Sequence, residues 1–423
     1  MYFVHPQIQF KNIGKVFAAM LAKSDEPGLV QKLSPRFPGK QLVFTDMART
    51  AFRMIVERLN LQNTHLLMPA YICDIFYPIL KQFNIEPIFL DIHPVRNSIS
   101  NGVDPKTFQP SLEEIKSKIT SKAKALLVCH TYGLPADMES ILALAKENNL
   151  LVIEDCAHAF GAKINGRYAG SFGHAALFSL YKSFPCLRGG LAILPAHNAL
   201  RSEAGGPVVL PKTSFNFRDF LSLLNSFPFF AFLFKKFGSD IAPKILRQEK
   251  LADIAGLNRV SLNLFAAFLD NFERGLEKRK ELALFFQQGL TDLGFETQAS
   301  PRTKRPQSAF GTHLGGASGR YGAGASQNNV FCFLSALVPS NLTEKRDDIG
   351  YGLTQKGIFC TRIWHTPIIL NPEARAFYFI NRSDFPGTIA ASQRIINFPL
   401  QNHYTKQDIQ KMLAKIKQAV KNQ

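Results

Sequence analysis

Between about residues 64 and 195, short apolar runs alternate with helix-patterned segments, and this alternation limits the fold more than any other feature of the chain. The runs at 65–68, 85–90, 125–128, 150–153, 175–179 and 191–194 have the length and composition of buried strands. Between them, 111–119 places Leu112, Ile115 and Ile119 on one helical face behind Ser111 as a cap. Similarly, 138–148 follows Asp137 and turns Ile141, Leu142 and Ala145 inward. Strands and helices in this order predict an α/β domain on a mostly parallel sheet. Ligands of such sheets sit beyond the carboxyl ends of the strands.

After about residue 196 the pattern is more mixed, as in a smaller α/β lobe. A long helix is expected over 260–290, with strands near 330–337 and 395–398. A last helix starts between Thr405 and Asp408 and carries Ile409, Met412, Leu413, Ile416 and Val420 as one stripe. Hydrophobic residues make up 46% of the 423, which excludes a disordered chain. Lys and Arg outnumber Asp and Glu by 50 to 32. These cations are spread along the chain and read as general surface charge, so no nucleic-acid partner is expected. The six cysteines form no CxxC pair, which argues against a disulfide framework or zinc ribbon and for a reducing cytoplasm; no metal is expected. No apolar run reaches the ~18–20 residues of a membrane span. Lys11 and Lys15 interrupt the only signal-like stretch at the start. The Gly-rich 311–326 lacks a phosphate-loop pattern and reads as a loop. Residues 215–237 hold nine Phe divided by Pro228. Flanked by Arg218 and Lys235-Lys236, this piece suits either a peripheral membrane contact or a dimer interface or active-site roof.

Residues 150–194 carry the chemistry. One strand ends in Glu154-Asp155 and His158 follows; another delivers Ser179 and Lys182, and Gly189-Gly190 leads into the next. An acid, a His, a Ser and a Lys thus collect at strand ends, where an α/β sheet binds ligands. Lys182 stands among apolar residues, and desolvation would lower its pKa and raise its nucleophilic fraction. The residues alone leave open a lysine that snorkels to water, and an Asp155 that only caps a helix.

The combination resembles the DegT/StrS family of pyridoxal-phosphate (PLP) sugar aminotransferases, which have the type I aminotransferase fold. The resemblance rests on Asp155-Cys-Ala-His158, Gly170-Ser171, Phe178-Ser179, Lys182 and Gly189-Gly190. In the expected order there are also Phe44–Ala51, Met68-Pro-Ala-Tyr71, Phe89-Leu-Asp91, His130 to Asp137, Gly256-Leu-Asn258 and Phe398-Pro-Leu400. It implies a large PLP-binding domain with an N-terminal arm over 1–255, including a Phe-rich insert at about 200–250. A linking helix and small C-terminal domain follow over 256–423.

The resemblance also implies roles. Lys182 is the amine that condenses with the cofactor aldehyde and then moves the substrate proton. Asp155 pairs with the ring nitrogen, and His158 packs near the ring. Ser179 and the backbone amides of Arg49 and Thr50 hold the phosphate, and Asn258 reaches that phosphate across a homodimer interface. Cys73 stands where many members carry an aromatic, so Tyr71 or Phe76 is the candidate for stacking on the ring. The implied reaction moves an amino group from glutamate to a nucleotide-linked keto-sugar for polysaccharide or secondary-metabolite biosynthesis. The alternatives are a PLP-dependent sugar dehydratase, whose relatives carry His in place of the lysine, and a non-catalytic regulatory protein retaining the fold.

Overall fold

A computed structural model describes residues 1–92, 107–196, 210–237, 253–298, 327–421 and 423. The Gly-rich 311–326 and much of 200–250 lie outside the described residues.

Seven strands form the central sheet: β1 (Lys40–Thr45), β2 (His65–Pro69), β3 (Glu86–Leu90), β4 (Ala123–Cys129), β5 (Leu151–Asp155), β6 (Ala175–Ser179) and β7 (Gly190–Pro195). Their order across the sheet is β1-β7-β6-β5-β4-β2-β3. From β3 to β6 all neighbours run parallel, whereas β7 is antiparallel to both β6 and β1. The six expected runs are all strands. Every residue of β6 and β7 is buried, as strands covered on both faces should be. β1 was not foreseen, and neither was the reversed β7. Gly189 (φ +142°) supplies the backbone turn into β7. A Cβ on Gly190 would lie 2.5 Å from the carbonyl oxygen of Met47, so only glycine lets the strand approach the start of helix α1 (Ala48–Arg58) this closely.

The expected helix at 260–290 is two helices, α4 (Arg259–Arg274) and α5 (Leu276–Asp292), numbered after the α2 and α3 of the Phe-rich region below. They break at Gly275. There Asn402 packs so tightly that an added Cβ would come within 2.1 Å of its Nδ2, and Asn402 Oδ1 accepts from Arg279 Nε at 2.6 Å. Helix α4 buries Phe265, Leu269 and Phe272 in one core with Phe44, Phe178 and Leu191 of the central sheet. Helix α5 turns Leu282, Phe286 and Leu290 to a second core instead. That core belongs to an antiparallel sheet of β8 (Glu296–Thr297), β9 (Leu334–Leu337) and β10 (Ile395–Phe398), closed by Ile409, Met412 and Ile416 of α6 (Lys406–Lys421).

The chain start joins this lobe. Tyr2–Phe3 pairs in parallel with Ile358–Phe359, Phe3 stacks on Phe359 at 4.6 Å, and Gln401 Nε2 donates to the carbonyls of Phe3, Val4 and His5.

The Phe-rich region folds as α2 (Phe217–Asn225) and α3 (Pro228–Phe237), with a bend of 109° between 217–225 and 228–234. Asn216 and Asp219 form a reciprocal capping box at its start. Leu223 and Ala231 face inward, while Phe217, Phe220, Phe229 and Phe230 are exposed. Among the described residues no single helix is long and apolar enough to cross a membrane; this bent pair passes by length and composition only.

Candidate active site

Strand register brings the site together. Asp155 ends β5 opposite Leu177 of β6. Two residues on, Ser179 pairs with Gly190, which on its other side pairs with Thr45 at the end of β1. The carboxyl ends of β5, β6 and β1 and the start of β7 therefore share one edge of the sheet. Lys182 leaves β6 on a single 3-10 turn, Leu180–Lys182, anchored by the Leu180 N–H donating to Gly189 O at 2.9 Å.

At the centre, Lys182 Nζ lies 3.1 Å from His158 Nε2. His158 is 1% exposed, and burial together with the Lys182 charge holds its pKa well below the ordinary histidine value. A neutral imidazole thus accepts from a cationic amine. Burial disfavours charge on Lys182, but interactions with Tyr181, Cys73, Asp155 and Cys129 outweigh it and raise the pKa. The expected lowering is therefore corrected: neighbouring acidic groups, three of them brought from other segments, win over desolvation in the protein alone.

Asp155 is 3% exposed and its pKa is raised by burial. Lys182, the Ala157 N–H bonded to Oδ1 at 2.9 Å, and His130 act against that rise. Cys129 Sγ is 3.8 Å from Asp155 Oδ2. Cys73 and Cys129 each feel both Lys182 and Asp155, so amine and acid share one neighbourhood.

The phosphate side is only partly as expected. Ser179 is 3% exposed and its Oγ is buried without a hydrogen-bond partner, the condition of a group awaiting a ligand. Nearby, α1 begins at Ala48 with Met47 as N-cap and no capping side chain, which leaves a positive helix end for an anion. Arg49 follows there, half-buried. Thr50, however, turns its N–H to Met47 O at 3.1 Å and its hydroxyl to Asp46 Oδ1 at 2.5 Å. Asn258 is likewise engaged within its own chain. Its Oδ1 accepts from Ser261 N at 2.8 Å, capping α4, and its Nδ2 donates to Asp219 Oδ2 at 3.2 Å.

Neither ring candidate is placed simply. Phe76 packs edge-on to Phe52 at 4.7 Å. Tyr71 bonds Tyr132 through its hydroxyl at 2.8 Å and packs edge-on to Trp364. What sequence reasoning missed is the wall these rings build: Tyr132, Phe333 and Trp364 surround the His158 ring at 5.7, 5.3 and 5.2 Å. The signal lay in Tyr132-Gly133, within the stretch His130 to Asp137. Both have positive φ, and a Cβ on Gly133 would meet His158 O at 2.9 Å, so this turn presses on the histidine backbone.

Behind the site, His130, Glu154 and Cys156 cluster with metal-ligand geometry, but hydrogen bonds already take up the His130 and Glu154 atoms. His130 Nδ1 accepts from Ala136 N, so Nε2 donates to Glu154 Oε2 at 3.0 Å. Glu154 also accepts from Gly170, Phe172 and Gly173 N–H, and His130 N–H donates to Asp155 O. The pair fixes the strand end that carries Asp155.

The family model described as the DegT/DnrJ/EryC1/StrS aminotransferase family matches residues 80–417. The chain belongs to this family. GDP-perosamine synthase of Escherichia coli O157:H7 is 42% identical over 116 residues, 27% of this chain and 29% of that protein. GDP-perosamine synthase of Caulobacter vibrioides is 25% identical over 321 residues, covering 75% and 71%. The first five curated relatives are matched over 23–32% of their own length. In fold, the chain is similar to the apo form of a putative sugar aminotransferase of Streptococcus pneumoniae, with TM-score 0.72, 17% identity, and coverage of 100% and 98%. The type I aminotransferase fold is thereby shown.

The family uses PLP, and the donor set fits it: a primary amine, a buried carboxylate, a partnerless buried hydroxyl and an uncapped helix start on one sheet edge.

Proposed function

We propose that the protein is a PLP-dependent aminotransferase that moves an amino group from glutamate to a nucleotide-linked keto-sugar, for polysaccharide or secondary-metabolite biosynthesis. The observation that carries this reading is the meeting of the Lys182 amine with neutral His158 inside the field of Asp155. When bound, the cofactor supplies an electron-accepting ring and the carbon on which the amino group is carried. Asp155 holds a proton on the ring nitrogen, and that cationic partner compensates the cost of ionising a buried carboxylate. As the neutral amine, Lys182 Nζ would act as the base that moves the proton at the substrate carbon. His158 orients the amine through Nε2, and the ring wall of Tyr132, Phe333 and Trp364 excludes water. Ser179 Oγ donates to the phosphate.

The names of the relatives support a nucleotide-linked acceptor, and the excess of basic residues suits its diphosphate. The intact Lys182 disfavours the dehydratase reading. Purified protein with PLP, L-glutamate and a panel of nucleotide-linked keto-sugars is expected to release 2-oxoglutarate. Absence of a borohydride-trapped cofactor on Lys182 overturns the reading. We further propose a homodimer whose seam includes the exposed Phe of α2 and α3, working in the cytoplasm, in keeping with the lack of any CxxC pair.

A further inference from the structure

Arg188 lies between Lys182 and the glycine pair, and neither composition nor motif singles it out. Its Nε donates to Asp219 Oδ1 at 2.7 Å, and its side chain is 18% exposed. Gly190, two residues on, is paired with both Ser179 and Thr45 and abuts Met47 O at the start of α1. The Arg188 backbone therefore stands at the sheet edge where Ser179 Oγ is buried without a partner and the helix end is uncapped. Asp46, beside that helix start, lies within the field of its side chain. The bond to Asp219 uses one of the five N–H groups the side chain carries.

Charge balance favours cations at this edge, where Arg49 at the start of α1 and Arg188 both act on Asp46. A phosphate dianion in a buried site needs compensation beyond one hydroxyl and a half-charge of helix dipole. Within the chain, Thr50 spends its N–H and hydroxyl on Met47 and Asp46. Arg188 supplies a fixed, always-protonated fork at this edge. Asp219 holds that fork in place and is itself fixed by the Asn216 capping box and by Asn258.

We propose that Arg188 is a cofactor-binding residue, the in-chain cation that grips the PLP phosphate, and that Asp219 of the Phe-rich insert positions it. This rests on PLP being the cofactor. It also makes the insert part of the cofactor site.

The test compares binding of PLP with binding of pyridoxal, which lacks the phosphate, to cofactor-free protein by absorbance titration. Arg188→Gln is expected to weaken PLP about 10- to 100-fold, the range for losing charge-assisted hydrogen bonds, and to leave pyridoxal binding as in wild type. Arg188→Lys recovers part of the loss. Asp219→Asn, close in volume, weakens PLP in the same sense by a smaller factor. Equal PLP affinity for wild type and Arg188→Gln overturns this inference alone. Parallel loss of PLP and pyridoxal, or an Arg188→Gln protein that does not fold together with unchanged PLP affinity in Asp219→Asn, makes the arginine structural and overturns it too. Wild type that takes up neither compound overturns this inference together with the aminotransferase reading.

Discussion

At the scale of single residues, the site is a set of opposed pressures on protons. His158 is buried and neutral, so its folded-state pKa lies below the unfolded value of about 6.5. Its contribution to stability is complete above that value and is lost as the pH falls below it, because the unfolded chain binds a proton there and the folded chain does not. The slope on the acid side approaches ~1.4 kcal/mol per pH unit for this one group. Thermal melts of cofactor-free protein between pH 7 and pH 5 are expected to show that fall, and His158→Gln to flatten it; an unchanged slope would show that the ring titrates normally. Lys182→Ala is expected to lower transamination by at least about 10²-fold and to remove the borohydride-trapped adduct. A half-transfer assay with glutamate, followed by mass spectrometry, measures both.

Among elements, the junction of β7 with α1 carries the most. Gly190→Ala sets a Cβ against a backbone oxygen and Thr45 Oγ1, both at 2.5 Å, where only main-chain movement relieves the clash. A loss of about 1–3 kcal/mol is expected, visible as a lower Tm. Retention of the wild-type Tm would mean the strand has room. This junction also marks where the sequence stops being readable. The strands of 64–195 announced themselves because buried parallel strands are short, continuous apolar runs. Lys182 and Asp155 stood out because polar groups rarely end such runs without a task. The direction of β7 left no trace, since a run of apolar residues reads the same either way. The break at Gly275 depends on Asn402, and the occupation of Asn258 on Asp219; both partners are distant in sequence and no local pattern foretells them. The rise of the Lys182 pKa has the same origin in part, since Cys73, Asp155 and Cys129 come from other segments.

For the whole molecule, the exposed phenylalanines of α2 and α3 predict assembly. Sedimentation velocity is expected to find a dimer, and Phe217→Ser combined with Phe229→Ser to shift it towards monomer. A doubly substituted protein that stays dimeric, or a wild type that sediments with anionic vesicles, would reassign this face. The pairing of Tyr2–Phe3 with Ile358–Phe359 has a further consequence, one of timing. The ribosome releases Tyr2 and Phe3 long before their partners near 358 exist. At roughly 5–20 residues per second the wait is on the order of 20–70 s. During synthesis this early segment must therefore wait without its strand partner, and this pairing can close only after residues near 358 have emerged.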